Sequence, residues 1–455
     1  MNPQTAKQSS HYITQPANQW MDRAIPWLIV GCLLPLYCLM SSPTISTAYG
    51  SSDSGELATA LWFGAVPHPP GMPTYLLFGQ IALNWFGGEP AQRLAWLSAI
   101  ATALSAGVVA ASVGLSASEQ PAKIRWSAML AAGLGVGLSQ RIWQQALVVE
   151  VYALANLFQA LLLWLSLRWQ RWQQTSTLAA LGLVLGLGLS VQLPVAAWLV
   201  GFGWFWFKAK WSISWRQIGL CWLMVGLGLG CYLVLPWRGA AVPQASWGDW
   251  RSVEGAIAHI SASEYRYLVG AVPLSEQIQR LVLAFRDLLA SYWWIVGPLL
   301  IGFGWTKIMV AQRSMLIGWA GVTLLWAISY GGADAQVYLL PIHLLAGWLL
   351  GMGVVGLAHY KSIERWMWLA PVLSLIALPF GWQFSLHNQT QSRDQAIALL
   401  QQQPPNGQLL SNDDQTTFSA WYVQKVLGVR PDLEIIDQRL QQQLWYRQRE
   451  GLPLR

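Results

Sequence analysis

The sequence predicts an all-α polytopic membrane protein of about eleven transmembrane helices, with external juxtamembrane helices and a small external α/β C-terminal appendage. Three observations predict it. Of 455 residues, 54% are hydrophobic and only 10% are charged, against about 25% charged in a soluble domain, so lipid solvates much of the surface. Apolar runs long enough to cross a bilayer recur along most of the chain. Thirty tryptophans suit the membrane–water boundary, where indole rings gather.

The expected spans lie near residues 24–42, 91–117, 126–141, 151–167, 217–236, 287–306, 314–330, 337–358 and 365–384. The run from 177 to 207 is too long for one crossing and is interrupted at Gln192-Leu-Pro194. It reads as two short helices meeting there, which completes the eleven. The first apolar run is expected to stay as a span, because no short hydrophobic core with a small-residue cleavage site precedes it. The domains follow: a cytoplasmic segment at 1–23, a transmembrane domain at 24–384 and an external region at 385–455.

Net charge is +7, yet no dense Lys/Arg run suggests nucleic acid as a partner. With the N-terminus in the cytoplasm, Lys123/Arg125, Arg168/Arg171, Lys208/Lys210/Arg216, Lys307/Arg313 and Lys361/Arg365 all fall on the inner side, as the positive-inside rule requires. The same alternation sends Asp53–Pro73, Arg141–Tyr152, Gln192, Arg238–Arg280, Gly331–Tyr338 and the last seventy residues outside. Cys32, Cys38, Cys221 and Cys231 sit in apolar runs and read as buried hydrophobes, not as disulfides or metal ligands.

Outside the membrane, Ser54 is expected to cap a helix through Phe63, stopped by Pro69-Pro70-Gly71, with a second short helix from Tyr75 to Phe86. Both would lie along the membrane surface. In the tail, an amphipathic helix near 392–403 precedes a Pro-Pro-Asn-Gly turn and a strand at Gln408–Ser411. A helix over 415–427 and a strand at Leu433–Ile436 follow.

Two carboxylates, Asp53 and Glu56, and the imidazole of His68 fall within about twenty residues. Helix capping by the acids is one reading; a carboxylate of raised pKa that accepts a proton is the other. His68, stiffened by two prolines, suits the orientation of a phosphate or a carboxylate. Arg141 and Glu150 stand at opposite ends of a short turn at a span boundary, where Glu150 either neutralises the arginine or is a functional acid among Ala, Leu and Val. The loop from Arg238 carries Trp247, Asp249, His259 and Tyr265, a mixture of rings and polar groups suited to sugar, or else an interfacial anchor. Asp334 and Tyr338 flank another outer end. No P-loop, nucleophile elbow, dinucleotide fingerprint or metal-ligand spacing is present.

The run Asp53-Ser-Gly-Glu56…His68-Pro-Pro-Gly-Met-Pro73, with Trp143…Glu150-Val-Tyr152, Trp247-Gly-Asp249…His259…Tyr265, Asp334…Tyr338-Leu-Leu-Pro341 and Trp421-Tyr422…Gly428-Val-Arg430-Pro-Asp432, resembles a family of GT-C membrane glycosyltransferases. That family includes an animal endoplasmic-reticulum protein O-mannosyltransferase. The resemblance runs in order over nearly the whole chain, with one departure: Gln192 stands where the family usually has a histidine.

The resemblance implies a GT-C-like fold and transfer of a sugar, a hexose such as mannose, from a polyprenyl-phosphate donor to an acceptor hydroxyl on the outer face, with inversion. Asp53 would be the general base, with Glu56 beside it in the catalytic pair. His68, Arg141, Gln192 and Arg238 would bind the donor phosphate. Glu150, Tyr152, Trp247, Asp249, His259, Tyr265, Asp334 and Tyr338 would bind substrate. No cofactor is implied, a divalent cation staying open. The partners would be the bilayer, the lipid-linked donor and a protein or envelope-glycan acceptor. Short loops and the absence of organelle signals in the sequence point separately to a bacterial inner membrane as the expected setting. A transporter, a flippase or a non-catalytic binder of lipid-linked sugars is the alternative.

Overall fold

The computed structural model describes residues 19–360 and 366–453. The N-terminal segment before Gln19 and the Lys361/Arg365 cluster lie outside the described residues. The chain begins with α1 (Gln19–Met40), then two short helices, α2 (Ser54–Phe63) and α3 (Pro73–Trp85). Next come α4 (Pro90–Ser116), α5 (Ala122–Gly137), α6 (Gln140–Gln145) and α7 (Tyr152–Trp172). The long apolar run resolves into α8 (Thr175–Leu189) and α9 (Ala197–Ala209), broken at Gln192 as the proline there demands. After α10 (Trp215–Leu229) and α11 (Val234–Ala241), a loop carries α12 (Val253–Ile260). Then come α13 (Leu274–Ser291), α14 (Val296–Lys307), α15 (Val310–Ser329), α16 (Leu340–Leu357) and α17 (Leu369–Gly381).

Among the described residues, four helices are long and apolar enough to cross a membrane: Trp20–Met40, Pro90–Ser116, Trp215–Ala241 and Ala335–Leu357. A fifth arises if α13 and α14, bent by 96° at their junction, form one span. The single crossing expected at 287–306 is therefore a bent pair that starts at Leu274. Its hinge includes Trp293 and Trp294, both with positive φ. The apolar face of α13 is open to the surroundings, with Ile278, Val282 and Phe285 exposed. The four cysteines are free, but Cys32 is exposed and the other three only half-buried. They face outward from helices in an apolar solvent, which hydropathy alone does not distinguish from burial in protein.

Long helices separate two polar ends. Glu89, just before α4, accepts a hydrogen bond from Tyr422 (2.8 Å) and lies 3.6 Å from Arg393. Twenty-seven residues later, about 40 Å along the axis, Arg171 donates to Ser118 and Arg125 grips Asp22 at 2.8 Å. Small residues let the helices close up: a Cβ on Gly133 would meet Ile29 and the Ala106 carbonyl.

The C-terminal region is α18 (Gln391–Gln401), β1 (Gln408–Ser411), α19 (Asp414–Trp421), β2 (Glu434–Asp437) and α20 (Leu444–Arg449). Strands β1 and β2 pair in parallel, Leu409 opposite Ile435, across a helical connection as parallel pairs need. The expected helix over 415–427 is α19 followed by a π turn at Tyr422–Val426. This small α/β unit packs on the helical domain, with α19 directly on α2. A Cβ on Gly55 would collide with the Phe418 carbonyl. Gly55→Ala is expected to cost about 1–3 kcal/mol and to loosen the 392–450 region. Faster hydrogen exchange there would register the change, and unaltered exchange with an unaltered melting temperature would refute it.

Candidate functional site

The loop before α2 places the acids. Ser54 is not the cap; its hydroxyl donates to the Ser46 carbonyl at 2.8 Å and accepts from the Ser46 amide at 3.2 Å. Asp53 occupies the N-cap position, yet its side chain makes no capping bond. Nor does Glu56 serve the helix terminus. It is 2% exposed, and both its oxygens go to His68: one accepts from the backbone N–H and the other contacts Nδ1, each at 2.6 Å. The other ring nitrogen, Nε2, stands 3.8 Å from the Asp53 carboxylate. His68 therefore lies between the two acids.

The turn that delivers His68 is held on both sides. The Val66 carbonyl accepts from the Trp247 amide at 2.9 Å, and the Val66 amide donates to the Ser246 hydroxyl at 3.1 Å. Gly71, at φ +86°, closes the turn with a hydrogen bond to the His68 carbonyl.

Burial lowers the affinity of His68 for its proton, but the charges of Glu56 and Asp53 and the hydrogen bond to Glu56 outweigh it and hold the imidazole up at about 10. Burial pushes Asp53 up and His68 pulls it down, while Glu56, Asp334 and Asp414 push it up again, to about 7. The cluster at neutral pH thus combines an imidazolium with a carboxylate poised to exchange a proton. Glu150, 1% exposed, is raised well above the usual carboxylate range by burial and by Asp53 and Asp334. Its Oε1 has no hydrogen-bond partner.

Asp53 and His68 open into a cleft of about 550 Å³ that is also lined by Glu150, Tyr152, Gln192, Tyr265, Asp334 and Tyr338. The Tyr152 hydroxyl donates to Asp334. Beside this cleft is a second, mostly apolar cavity of about 310 Å³ between α7, α9, α15 and α16. The two share Tyr152, Gln192, Leu193, Pro194, Trp326 and Tyr338 as a common wall. Along it Tyr152 and Tyr338 meet edge to face, 6.0 Å between centroids.

Several residues expected at the site lie elsewhere. Arg141 does not line the cleft and does not pair with Glu150; it donates to Asp287 and Gln336, each at 2.6 Å. Arg238 is buried, also off the cleft. His259 is buried behind the His68 turn, where burial and the charge of His68 lower it to about 3; its ring packs on Trp250. Asp249 accepts from Arg251 and Ser252 within its own loop. Trp247 stands with its ring centroid 6.1 Å from that of His68. Glu56 supports His68 from behind and does not itself line the cleft. Sequence reasoning missed Arg266 as a site residue, the one Arg or Lys among the described cleft-lining residues, and missed Asp414, Gln415 and Phe418, through which the C-terminal region completes the wall.

The architecture is that of the GT-C fold. The structure resembles ArnT from Cupriavidus metallidurans bound to undecaprenyl phosphate, with a TM-score of 0.58 at 12% identity, over 94% of this chain and 90% of that one. Apo ArnT gives a TM-score of 0.59 at 14% identity, over 94% and 91%. Residues 53–215 match the model of the protein O-mannosyl-transferase TMEM260 N-terminal domain, and 392–450 match TMEM260-associated domain 2. The mouse protein O-mannosyl-transferase TMEM260 is 24% identical over 445 residues, covering 89% of this chain and 61% of the mouse protein. The Dictyostelium discoideum protein of the same name is 19% identical, covering 92% and 58%. The chain is thus similar to GT-C O-mannosyltransferase-related proteins over most of its length. It spans about 60% of the length of these curated relatives.

Proposed function

We propose that this protein is a membrane glycosyltransferase that moves a hexose, such as mannose, from a polyprenyl-phosphate donor to an acceptor hydroxyl, with Asp53 as the general base. The observation that carries the reading is the pair of joined cavities: an acid–imidazolium cluster opening into a polar cleft, and an apolar cavity sharing its wall. A lipid-linked sugar phosphate has matching polar and apolar halves.

In the proposed reaction the acceptor hydroxyl gives its proton to Asp53 as its oxygen bonds to the anomeric carbon. The bond from that carbon to the phosphate oxygen breaks, and the lipid phosphate leaves with the electron pair. Direct displacement inverts the anomeric centre. The His68 imidazolium and Arg266 offset the charge on the leaving phosphate. Arg141 and Arg238, away from the cleft, are not assigned to it. Gln192, on the wall shared by the cavities, supplies an amide for a phosphate or sugar oxygen. Glu150, Tyr152, Tyr265, Asp334 and Tyr338 would surround the sugar. The proposed setting is a bacterial inner membrane, with eleven crossings, the N-terminus in the cytoplasm, and the cleft and the 385–455 region outside. The acceptor is a protein or an envelope glycan.

The test is sugar release from a radiolabelled polyprenyl-phosphate hexose by the purified protein, with envelope extract as acceptor. Turnover supports the reading, and binding without turnover removes it. Arg266→Ala is expected to raise the KM for the donor roughly tenfold or more, the scale of one lost charge-assisted hydrogen bond, with Lys restoring part of it. An unchanged KM would exclude Arg266 from phosphate binding.

A further inference from the structure

The loop after α11 serves two cavities, and the second belongs to no step above. A separate cavity of about 360 Å³ lies between this loop and α20, lined by Gln244, Asp249, Trp250, Trp445, Gln448 and Arg449 among others. None of these lines the catalytic cleft. Trp247 stands between the two regions, its ring centroid 6.1 Å from that of His68 and 5.5 Å from that of Trp445. The walls are fixed to one another: Arg449 donates to the Ser246 carbonyl at 3.5 Å and lies over the rings of Trp445 and Tyr446, at 5.4 and 4.7 Å.

The chemistry this cavity offers follows from which groups are already committed. Asp249 accepts from the Arg251 amide and the Ser252 hydroxyl, at 2.9 and 2.6 Å. Arg449 is paired with Glu450 at 2.8 Å. Both indole N–H groups are used, Trp250 to the Trp247 carbonyl and Trp445 to Glu264. The side chains of Gln244 and Gln448 are exposed and make no hydrogen bond. What is left over is two neutral amides, two indole rings and the exposed side chain of Arg251, which also lines the cavity. Amides both donate and accept, as sugar hydroxyls do, and indole faces suit the apolar faces of a pyranose. The volume falls within the range of about 300–1,000 Å³ for small-molecule sites.

We infer that this cavity is a second saccharide-binding site, built jointly by the 239–251 loop and the C-terminal helix. The inference does not rest on the transfer reaction, and binding alone tests it. The full chain in nanodiscs is titrated with mannotriose by calorimetry, using wild type, Asp53→Asn and the double variant Gln244→Ala/Gln448→Ala. Both substitutions of the pair fall on exposed side chains, so folding is preserved. The expected result is equal affinity in wild type and Asp53→Asn and at least tenfold weaker binding in the double variant. No binding to wild type overturns the proposal, as does unweakened binding in the double variant. An uncharged peptide that binds the cavity in place of mannotriose overturns it too.

Discussion

Asp53→Asn is expected to lower the turnover number by roughly 10²–10⁴, the usual contribution of a general base, with little change in folding. The substitution keeps the side chain's size, and Asp53 makes no capping bond whose loss would unsettle α2. The proton acceptor disappears while the cleft keeps its shape. In the wild type the rate should rise as pH increases through about 7, where burial and the neighbouring acids, against the pull of His68, have set Asp53. The sign follows from the role: a base works unprotonated, so activity is lost on the acid side. On this account the rate at pH 6 is roughly one-fifth of that at pH 7. The asparagine variant should lose that limb and keep only a small, pH-independent rate. Retained turnover in this variant would remove Asp53 from the base role, whatever the fate of the glycosyltransferase reading.

The acid–imidazole cluster was legible because all three groups fall in one short stretch, and the Pro-Pro-Gly turn announces that the chain doubles back. The same locality made β1, β2 and the break at Gln192 readable, each being bounded by turn residues or proline. Arg141 shows where locality fails. Glu150 was the nearest acid in sequence, but the arginine bonds to Asp287 and Gln336, 146 and 195 positions away. Such partners follow from helix packing, which one sequence does not encode in any local pattern. Arg266 was hidden in the same way, since nothing around it distinguishes a cleft residue from an interfacial one. The bend between α13 and α14 was hidden by hydropathy, which scores an apolar stretch alike whether it crosses the membrane or lies along it. Outward-facing cysteines looked buried because a lipid-facing surface and a core have the same composition.

Glu56→Gln should be the second most damaging change, although Glu56 does not line the cleft. Its two oxygens hold the amide and ring of His68, and its charge is the largest influence opposing burial in keeping that ring protonated. Without it, burial lowers His68, and the imidazole becomes neutral well below the wild-type value of about 10. A neutral His68 no longer pulls Asp53 down. That pull exceeds the upward push Asp53 receives from Glu56, so losing both leaves Asp53 higher than before. The rising limb of the rate profile should therefore move above pH 7, and turnover at neutral pH should fall roughly ten- to a hundredfold. An effect confined to packing would lower the rate without moving that limb. The same logic has a stability counterpart. A histidine raised in the folded state contributes stability that is present below its ordinary value, near 6.5, and lost as pH rises through about 10. Wild type should therefore lose that increment between those values. Glu56→Gln, whose His68 is no longer held up, should show a flatter dependence of melting temperature on pH across that window. A limb fixed at 7 together with an unchanged melting profile would mean that Glu56 does not act through His68.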